Sequence, residues 1–419
     1  MMLGLMMVWI SVPVQAQNVI EDEGIETVEE DVSDSTLVDS LAADTLTQKF
    51  PWPESVKVGI DKLLESKMFE TSQVGLMVWD LSADSCIYQR NERQLMRPAS
   101  TMKLLTAITA LDKLGGSYQF KTTLKYTGTI ENGVLTGDVY CIGGMDPRFN
   151  SDDMSAFVNS LKDMGVDTIR GSIYADRSLK DADLLGEGWC WDDDNPVLSP
   201  LVFQRKDIFM DKFLAKLREE GIEYSCFGAS EKTCPASAFT VCTRFHTMDQ
   251  ILHKMMKESD NLYAESMYYQ IAASTGNKWA SAKSARNVER QLIRKIGLDP
   301  ARYKLADGSG LSLYNYLSAE LEVKLLRYAY LNGNIMDHLK HSLPIGGVDG
   351  TLKKRMKNSF VHGNVKAKTG TLTGIISLAG YCTAANGHEL CFAIINNGIM
   401  HGNNARHFAD KVCTLLCQP

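Results

Sequence analysis

Three runs near the end of the chain, 364–368, 375–382 and 389–395, alternate apolar and polar side chains as strands of one antiparallel meander do. Two more strand-like runs, 74–80 and 86–89, flank the turn Ser82-Ala83-Asp84-Ser85 close to the other end. Strands so far apart in sequence can share a sheet only if the chain between them folds as helices over that sheet or as a separate body. Both kinds of segment are present. Apolar residues recur at helical spacing in 55–69, 100–114, 248–257, 262–273 and 403–416, and the stripe Met102, Leu105, Leu111, Leu114 stops at Gly115-Gly116. Between 120 and 242 the texture changes to short strands and turns, with a hairpin around Glu131-Asn132-Gly133, a helix over 152–164 and a strand over 168–174. The pattern predicts an α+β chain, a five-stranded antiparallel sheet flanked by helices. The expected division is a main domain made of 49–118 and 243–419, with 119–242 inserted as a smaller domain.

The first 16 residues, MMLGLMMVWISVPVQA, are apolar and end in Val14-Gln15-Ala16, with small residues where a signal peptidase cuts. No Lys or Arg precedes Lys49, so the basic start of a secretory signal is missing. A short buried helix or a retained anchor is the alternative, and a run of this length is short for spanning a bilayer. Export to the periplasm or cell envelope is expected, with no membrane span left after processing. Residues 17–48 hold ten acids, no Lys or Arg and no aromatic, which predicts a solvated, disordered spacer. The formal net charge of −7 therefore misleads, because with those acids set aside the remainder is about +3. A near-neutral surface without a basic, aromatic-laced patch excludes a nucleic-acid partner.

The ten cysteines form no CxxC and no Cys/His spacing suited to zinc, so no metal and no other cofactor is expected. In the run from Cys382 to Cys391 the Asn386-Gly387 pair reads as a two-residue hairpin turn. Cys382 would then face Cys391 at a non-hydrogen-bonded site, where a disulfide fits. The bland alternative is two small apolar side chains packed side by side.

Chemistry enters with RPASTMK, residues 97–103. Residues three apart share a helix face, so Lys103 can set its amine against the Ser100 hydroxyl. A neutral lysine takes a serine proton if burial and a neighbouring cation depress its pKa. Ser100 is equally well placed to be a helix N-cap, and Ser-x-x-Lys arises by chance in chains of this size. Lys368-Thr369-Gly370-Thr371, on an expected strand, offers a cation, hydroxyl donors and a glycine that lets a substrate backbone approach, although such a run is commonly a turn. Ser259-Asp260-Asn261 falls between two helices, where capping is the default role. Singly, each run has an innocent explanation. In this order, and on a helix start, an interhelical loop and a strand, they are the set used by penicillin-binding proteins and β-lactamases.

At this point the chain resembles the class C low-molecular-mass penicillin-binding proteins, which are D-alanyl-D-alanine carboxypeptidases and endopeptidases. Further runs carry the resemblance: GDVYCIGGMDP (137–147), GWCWDD (188–193), ADGSGLS (306–312) and LPIGGVDGT (343–351). It spans from about residue 55 onward and accounts for the insertion, which the family carries between its first and second motifs, here Lys103 to Ser259. The resemblance implies the serine β-lactamase and penicillin-binding-protein transpeptidase-like fold. It implies Ser100 as the acylated nucleophile and Lys103 as its base, with Ser259 and Lys368 relaying the proton to the leaving amine. Asn261 would hold the substrate amide, and Thr369 and Thr371, either side of Gly370, the terminal carboxylate. The backbone N–H groups of Ser100 and Thr371 would form the oxyanion hole. Peptidoglycan peptides would be the substrates and β-lactams covalent inhibitors, and a homodimer is left open. Asp176 would reach over the site to hold a peptide side-chain amine, or else be a strand-end turn residue.

Two positions depart from the family pattern. Many members follow the DGSGLS run with an arginine where this chain has Leu313, and Thr373 stands where a longer polar side chain occurs, so side-chain specificity is open. A β-lactamase or esterase on the same fold is the nearest rival, against which the long insertion and the DGSG and GGVDGT runs favour the peptidase; a non-catalytic wall-binding scaffold is the next, and intact Ser100, Lys103 and Lys368 speak against it. No HExxH and no G-x-S-x-G occurs, since Ser309 has Asp307 and Leu311 where glycines would stand.

Overall fold

The computed structural model describes residues 50–418 except 192, 193, 227, 277, 358 and 359, so the expected signal peptide and acidic spacer lie outside the described residues. In chain order, α1 (Glu54–Leu63) precedes the hairpin β1 (Gln73–Asp80) and β2 (Ser85–Arg90), which feeds α2 (Met102–Leu114). The insertion follows as β3 (Gln119–Tyr126), β4 (Thr129–Glu131), β5 (Val134–Thr136), β6 (Val139–Ile142), α3 (Ser151–Asp163), β7 (Thr168–Arg170) and β8 (Ile173–Asp176). It ends with α4 (Phe209–Glu219), β9 (Glu223–Tyr224), β10 (Ala229–Glu231) and β11 (Phe239–Thr247). The chain returns through α5 (Met248–Lys257), α6 (Asn261–Ala273), α7 (Ala282–Lys295), α8 (Ala319–Tyr330) and α9 (Gly333–Ser342). β12 (Lys366–Leu372), β13 (Ile375–Thr383), β14 (Glu389–Asn397) and α10 (Gly402–Cys417) close it.

The strands from the two ends share one five-stranded sheet, order β12-β13-β14-β1-β2, with β1 antiparallel to β14 from Gln73↔Asn397 to Asp80↔Leu390. Both faces are covered, so β13 and β14 are near-continuous apolar runs and not the apolar–polar alternation expected of them. One face packs on α2, α5, α6, α8 and α9. The other packs on α1 and α10 through Val56, Ile60, Phe408 and Val412. Every residue of α2 from Met102 to Leu111 is buried, so the helix is a central rod and not the one-striped surface helix its spacing suggests. A rod enclosed on all sides fixes whatever its first turn carries. Among the described residues, no helix is long and apolar enough to cross a membrane.

The insertion builds its own two sheets, β10-β8-β6-β3-β11 and β4-β5-β7-β9, around a separate core that includes Phe149, Phe157, Phe209 and Phe213. Its last strand runs to Thr247, beyond the boundary expected at 242. The strand expected over 168–174 is in fact two, β7 and β8, which pair in different sheets. Gly171 sits at the break, where a Cβ would lie 2.0 Å from the Gly137 carbonyl oxygen. A smaller apolar cluster, with Met145, Trp189 and Leu198 against Tyr268 and Tyr269, fills the seam between insertion and helices.

The expected Cys382–Cys391 pairing is overturned. Cys391 lies opposite Tyr381, and Cys382 opposite Leu390. Ala384 N donates to His388 O and Gly387 N to Ala384 O, with Gly387 at φ +85°, so the loop is odd in length and carries a bulge. A one-residue shift turns every later side chain to the other face. Cys382 thus joins the core beneath α10, and Cys391 the core beneath α8. Non-reducing peptide mapping is expected to find no 382–391 bridge, and finding one would show a slipped register.

Candidate active site

Ser100 lies in a short 3-10 turn, Ala99–Thr101, that runs straight into α2. It makes no capping bond; the helix start has none from a side chain. Instead its Oγ lies 2.9 Å from Lys103 Nζ. Lys103 is fully buried, and its amine also donates to Asn261 Oδ1 at 2.7 Å and to Ser309 O at 2.8 Å. The rod of α2 therefore holds the amine, and two loops aim it. The preceding residue, Ala99, is left-handed at φ +50°, a strained setting for a residue with a Cβ.

The second motif spans the break between α5 and α6. Asp260 is the N-cap of α6, its side chain accepting from Tyr263 N at 3.3 Å, which leaves Ser259 and Asn261 either side of it free for other work. Ser259 is itself left-handed at φ +60°. Its Oγ accepts from Lys368 Nζ at 2.8 Å.

Lys368, Thr369, Gly370 and Thr371 lie on β12, an edge strand that runs alongside the Ser100 turn. Lys368 is fully buried and also donates to Thr369 O at 2.8 Å. Thr369 Oγ1 donates to Thr351 Oγ1 at 2.7 Å, and Thr371 is exposed. Gly370 is required by closeness: a Cβ there would meet Ser377 Oγ at 2.0 Å, Pro98 O at 2.7 Å and Ser100 N at 3.1 Å.

Electrostatics follow from burial. Desolvation pushes the Lys103 ammonium down to about 8, opposed by the charges of Asp307, Glu265 and Asp260. Lys368 lies well below the ordinary lysine range, through burial first and then through the charge of Lys103. The neighbouring-cation effect anticipated for Lys103 thus falls on Lys368. A dry site with two amines favours one positive charge over two.

Several supporting residues escaped sequence reasoning, although some lay inside quoted runs. Asp307 folds the DGSG loop by accepting from Gly310 N at 2.8 Å, Ser312 N at 2.7 Å and Asn315 Nδ2 at 2.8 Å. It also accepts from Trp189 Nε1, 2.8 Å away, which ties the GWCW run of the insertion to the same loop. Glu265, four residues after Asn261 on the buried face of α6, accepts from Ser309 N at 2.8 Å and so fixes the carbonyl that meets Lys103. Burial, with Asp307 beside it, pushes Glu265 up to about 8. Lys257 joins Asp349 at 2.6 Å and Leu343 O at 2.6 Å, bracing the GGVDGT run from which Thr351 comes. A carboxyl on the core face of a helix was the one signal that could have flagged Glu265.

The structure brings together Ser100, Lys103, Ser259, Asn261, Lys368, Thr369 and Gly370. Asp176 sits elsewhere in the contact network. It ends β8 with one oxygen accepting from Ser178 N at 2.9 Å and the other from Cys234 N at 2.8 Å, as a strand-end turn residue does.

Fold and site together define a serine enzyme of the penicillin-binding-protein class. The sequence matches the D-Ala-D-Ala carboxypeptidase 3 (S13) family over residues 56–202 and 197–418, and the chain belongs to that family. It is accordingly a serine-type D-Ala-D-Ala carboxypeptidase, a peptide hydrolase. It is 25% identical over 453 residues to the D-alanyl-D-alanine carboxypeptidase DacB of Haemophilus influenzae, covering 88% of this chain and 94% of that one. It is 27% identical over 436 residues to the D-alanyl-D-alanine carboxypeptidase of Actinomadura sp. strain R39, covering 81% and 80%. The crystal structure of penicillin binding protein 4 from Haemophilus influenzae superposes with a TM-score of 0.78 at 24% identity, covering 86% of this chain and 99% of that one.

Proposed function

We propose that this chain removes the terminal D-alanine from peptidoglycan stem peptides and also cleaves D-alanyl cross-links, in the periplasm or cell envelope, through an ester on Ser100. The observation that carries this reading is the pair of buried amine–hydroxyl contacts, Lys103 to Ser100 at 2.9 Å and Lys368 to Ser259 at 2.8 Å. In its neutral form Lys103 takes the Ser100 proton as Oγ attacks the penultimate D-alanine carbonyl. Negative charge on that oxygen is met by the N–H groups of Ser100 and Thr371. The C–N bond breaks as the leaving amine gains a proton through Ser259 and Lys368, and water then hydrolyses the ester. Asn261 has its oxygen turned to Lys103, so its Nδ2 is the atom left to donate to a substrate carbonyl. Thr369 and Thr371 hold the terminal carboxylate. Asp176 keeps a second lone pair on each oxygen, and holding a substrate side-chain amine stays a proposal that Asp176→Asn tests through KM for diamino-acid peptides.

One crystal structure of the Haemophilus influenzae relative is described as a complex with a β-lactam. The test is intact mass of the protein before and after benzylpenicillin, beside D-alanine release from a pentapeptide. A lasting adduct on the wild type, absent from Ser100→Ala, together with D-alanine release is the expected result. Hydrolysed penicillin with neither adduct nor D-alanine would overturn the peptidase reading in favour of a β-lactamase.

A further inference from the structure

We propose that Arg205, in the inserted domain, is a positioning residue for the reaction: it holds Asp260, and through it the Ser259–Asn261 loop that meets both buried lysines. The inference rests on the roles given above to Lys103, Ser259 and Asn261. It assigns the insertion a part in the chemistry.

Arg205 stands at the tip of a tight hairpin. Phe203 N donates to Lys206 O at 2.9 Å and Lys206 N to Phe203 O at 3.0 Å, while Gln204 and Arg205 have φ of +47° and +69°. Two successive left-handed residues make a type I′ turn, ordinarily the place for Asn and Gly. Here neither is glycine, so the surrounding structure must hold the turn. Phe203 is buried in the insertion's core, Gln204 N donates to Phe149 O at 3.0 Å, and Gln204 Nε2 donates to Ser151 Oγ at 3.2 Å. The tip is thereby fixed, and the Arg205 guanidinium pairs with Asp260 Oδ2.

Asp260 divides its two oxygens, Oδ1 to the start of α6 and Oδ2 to Arg205. An exposed ion pair alone is worth little. This one differs because the Asp260 side chain is only 8% exposed and separates the two catalytic side chains of the motif. Ser259, held left-handed next to it, needs such a constraint to keep its hydroxyl on Lys368. The insertion braces the other wall of the site as well, through the Trp189–Asp307 bond.

Charge gives a second consequence. Lys103 is faced by Asp307, by Glu265 on α6, by Asp260 and by Lys368 on β12. Around Tyr263, on the first turn of the same helix, the charges are Asp260, Arg205, Arg148 and Asp146, the last bonded to His246. The Asp260 charge favours protonated Lys103, and the Arg205 guanidinium paired with Asp260 carries the opposite sign. Removing Arg205 should therefore raise the Lys103 pKa, so that the base form appears at higher pH.

The experiment follows benzylpenicillin acylation against pH for wild type, Arg205→Ala and Arg205→Lys, with hydrogen–deuterium exchange over 258–263. For Arg205→Ala we expect acylation at neutral pH to fall roughly 3- to 10-fold. The acid limb should move up by roughly 0.5 pH unit, and exchange in the loop should quicken. Arg205→Lys should restore the limb. In an Asp260→Asn background, Arg205→Ala should move nothing further. An unmoved limb with unchanged exchange, or an equal shift in the Asp260→Asn background, overturns the proposal. A wild type that never acylates rejects the reading of the site, while the exchange measurement still decides whether Arg205 orders the loop.

Discussion

Lys103→Ala is expected to slow acylation of Ser100 by benzylpenicillin roughly 10²–10⁴-fold, the range for loss of a positioned general base, while the protein stays folded. The amine lies 2.9 Å from Ser100 Oγ, and burial holds it near 8, where a usable fraction is neutral. The contact to Asn261 Oδ1 would be lost as well, so the substrate amide would be held less firmly. The sign of the pH dependence follows directly. The reactive form is the deprotonated one, so wild-type kcat/KM should rise with pH through about 8 and then level. In Lys103→Ala that limb should vanish along with the rate. Stopped-flow acylation from pH 6 to 10, with circular dichroism as the check on folding, measures both. An alanine variant that acylates at the wild-type rate, or a wild-type rate flat across that range, would remove Lys103 as the base.

The chemistry was legible where spacing alone fixes geometry. Ser100 and Lys103 meet because residues three apart share a helix face, whatever surrounds them. Ser259-Asp260-Asn261 was placed between two helices correctly, yet its meaning required the partner strand. The sheet was readable as well, because short apolar runs bounded by turn residues mark strands and a tight hairpin pins β1 to β2, although burial on both faces makes β13 and β14 continuous where alternation was expected. What escaped is what depends on one residue more or less, or on contacts far apart in sequence. The Asn386-Gly387 hairpin was recognised, but its odd loop, one bulge residue longer, moved Cys391 to the opposite face from Cys382. Gly171 split a plausible single strand because the Gly137 backbone crosses there. α7, α8 and α9 were not singled out at all, and Asp307, Glu265 and Arg205 act through partners 118, 44 and 55 residues away, which no local pattern reveals. Ser100 had an ordinary reading as a cap; only the buried lysine against its hydroxyl decides between the two.

Gly370→Ala is expected to be nearly as damaging as loss of the base, by a purely steric route. A Cβ at 370 would stand 2.0 Å from Ser377 Oγ, 2.7 Å from Pro98 O and 3.1 Å from Ser100 N. Ser377 cannot simply turn away without cost, because its hydroxyl donates to Pro98 O at 2.5 Å and accepts from Thr101 Oγ1 at 3.3 Å, bonds that brace the nucleophile's turn. Even if it did, the Pro98 carbonyl is backbone and stays in place. Relief has to come from β12, an edge strand held at its start by the Ile345↔Lys366 bridge but paired around Gly370 with β13, so that this end can move outward. That movement widens the gap between Thr371 and Ser100, the two backbone donors assigned to the oxyanion, and draws Lys368 back from Ser259. A displacement of about 1 Å at such a site costs on the order of 10²-fold in rate. Overpacking of this kind also destabilises by about 1–3 kcal/mol, so the melting temperature should fall together with the acylation rate. The two readouts separate the causes. A lower melting temperature with an intact acylation rate would mean that β12 retreats without disturbing the donors. An unchanged melting temperature would mean that β12 does not lie against the Ser100 turn at all, and the close approach that makes glycine necessary there would be refuted.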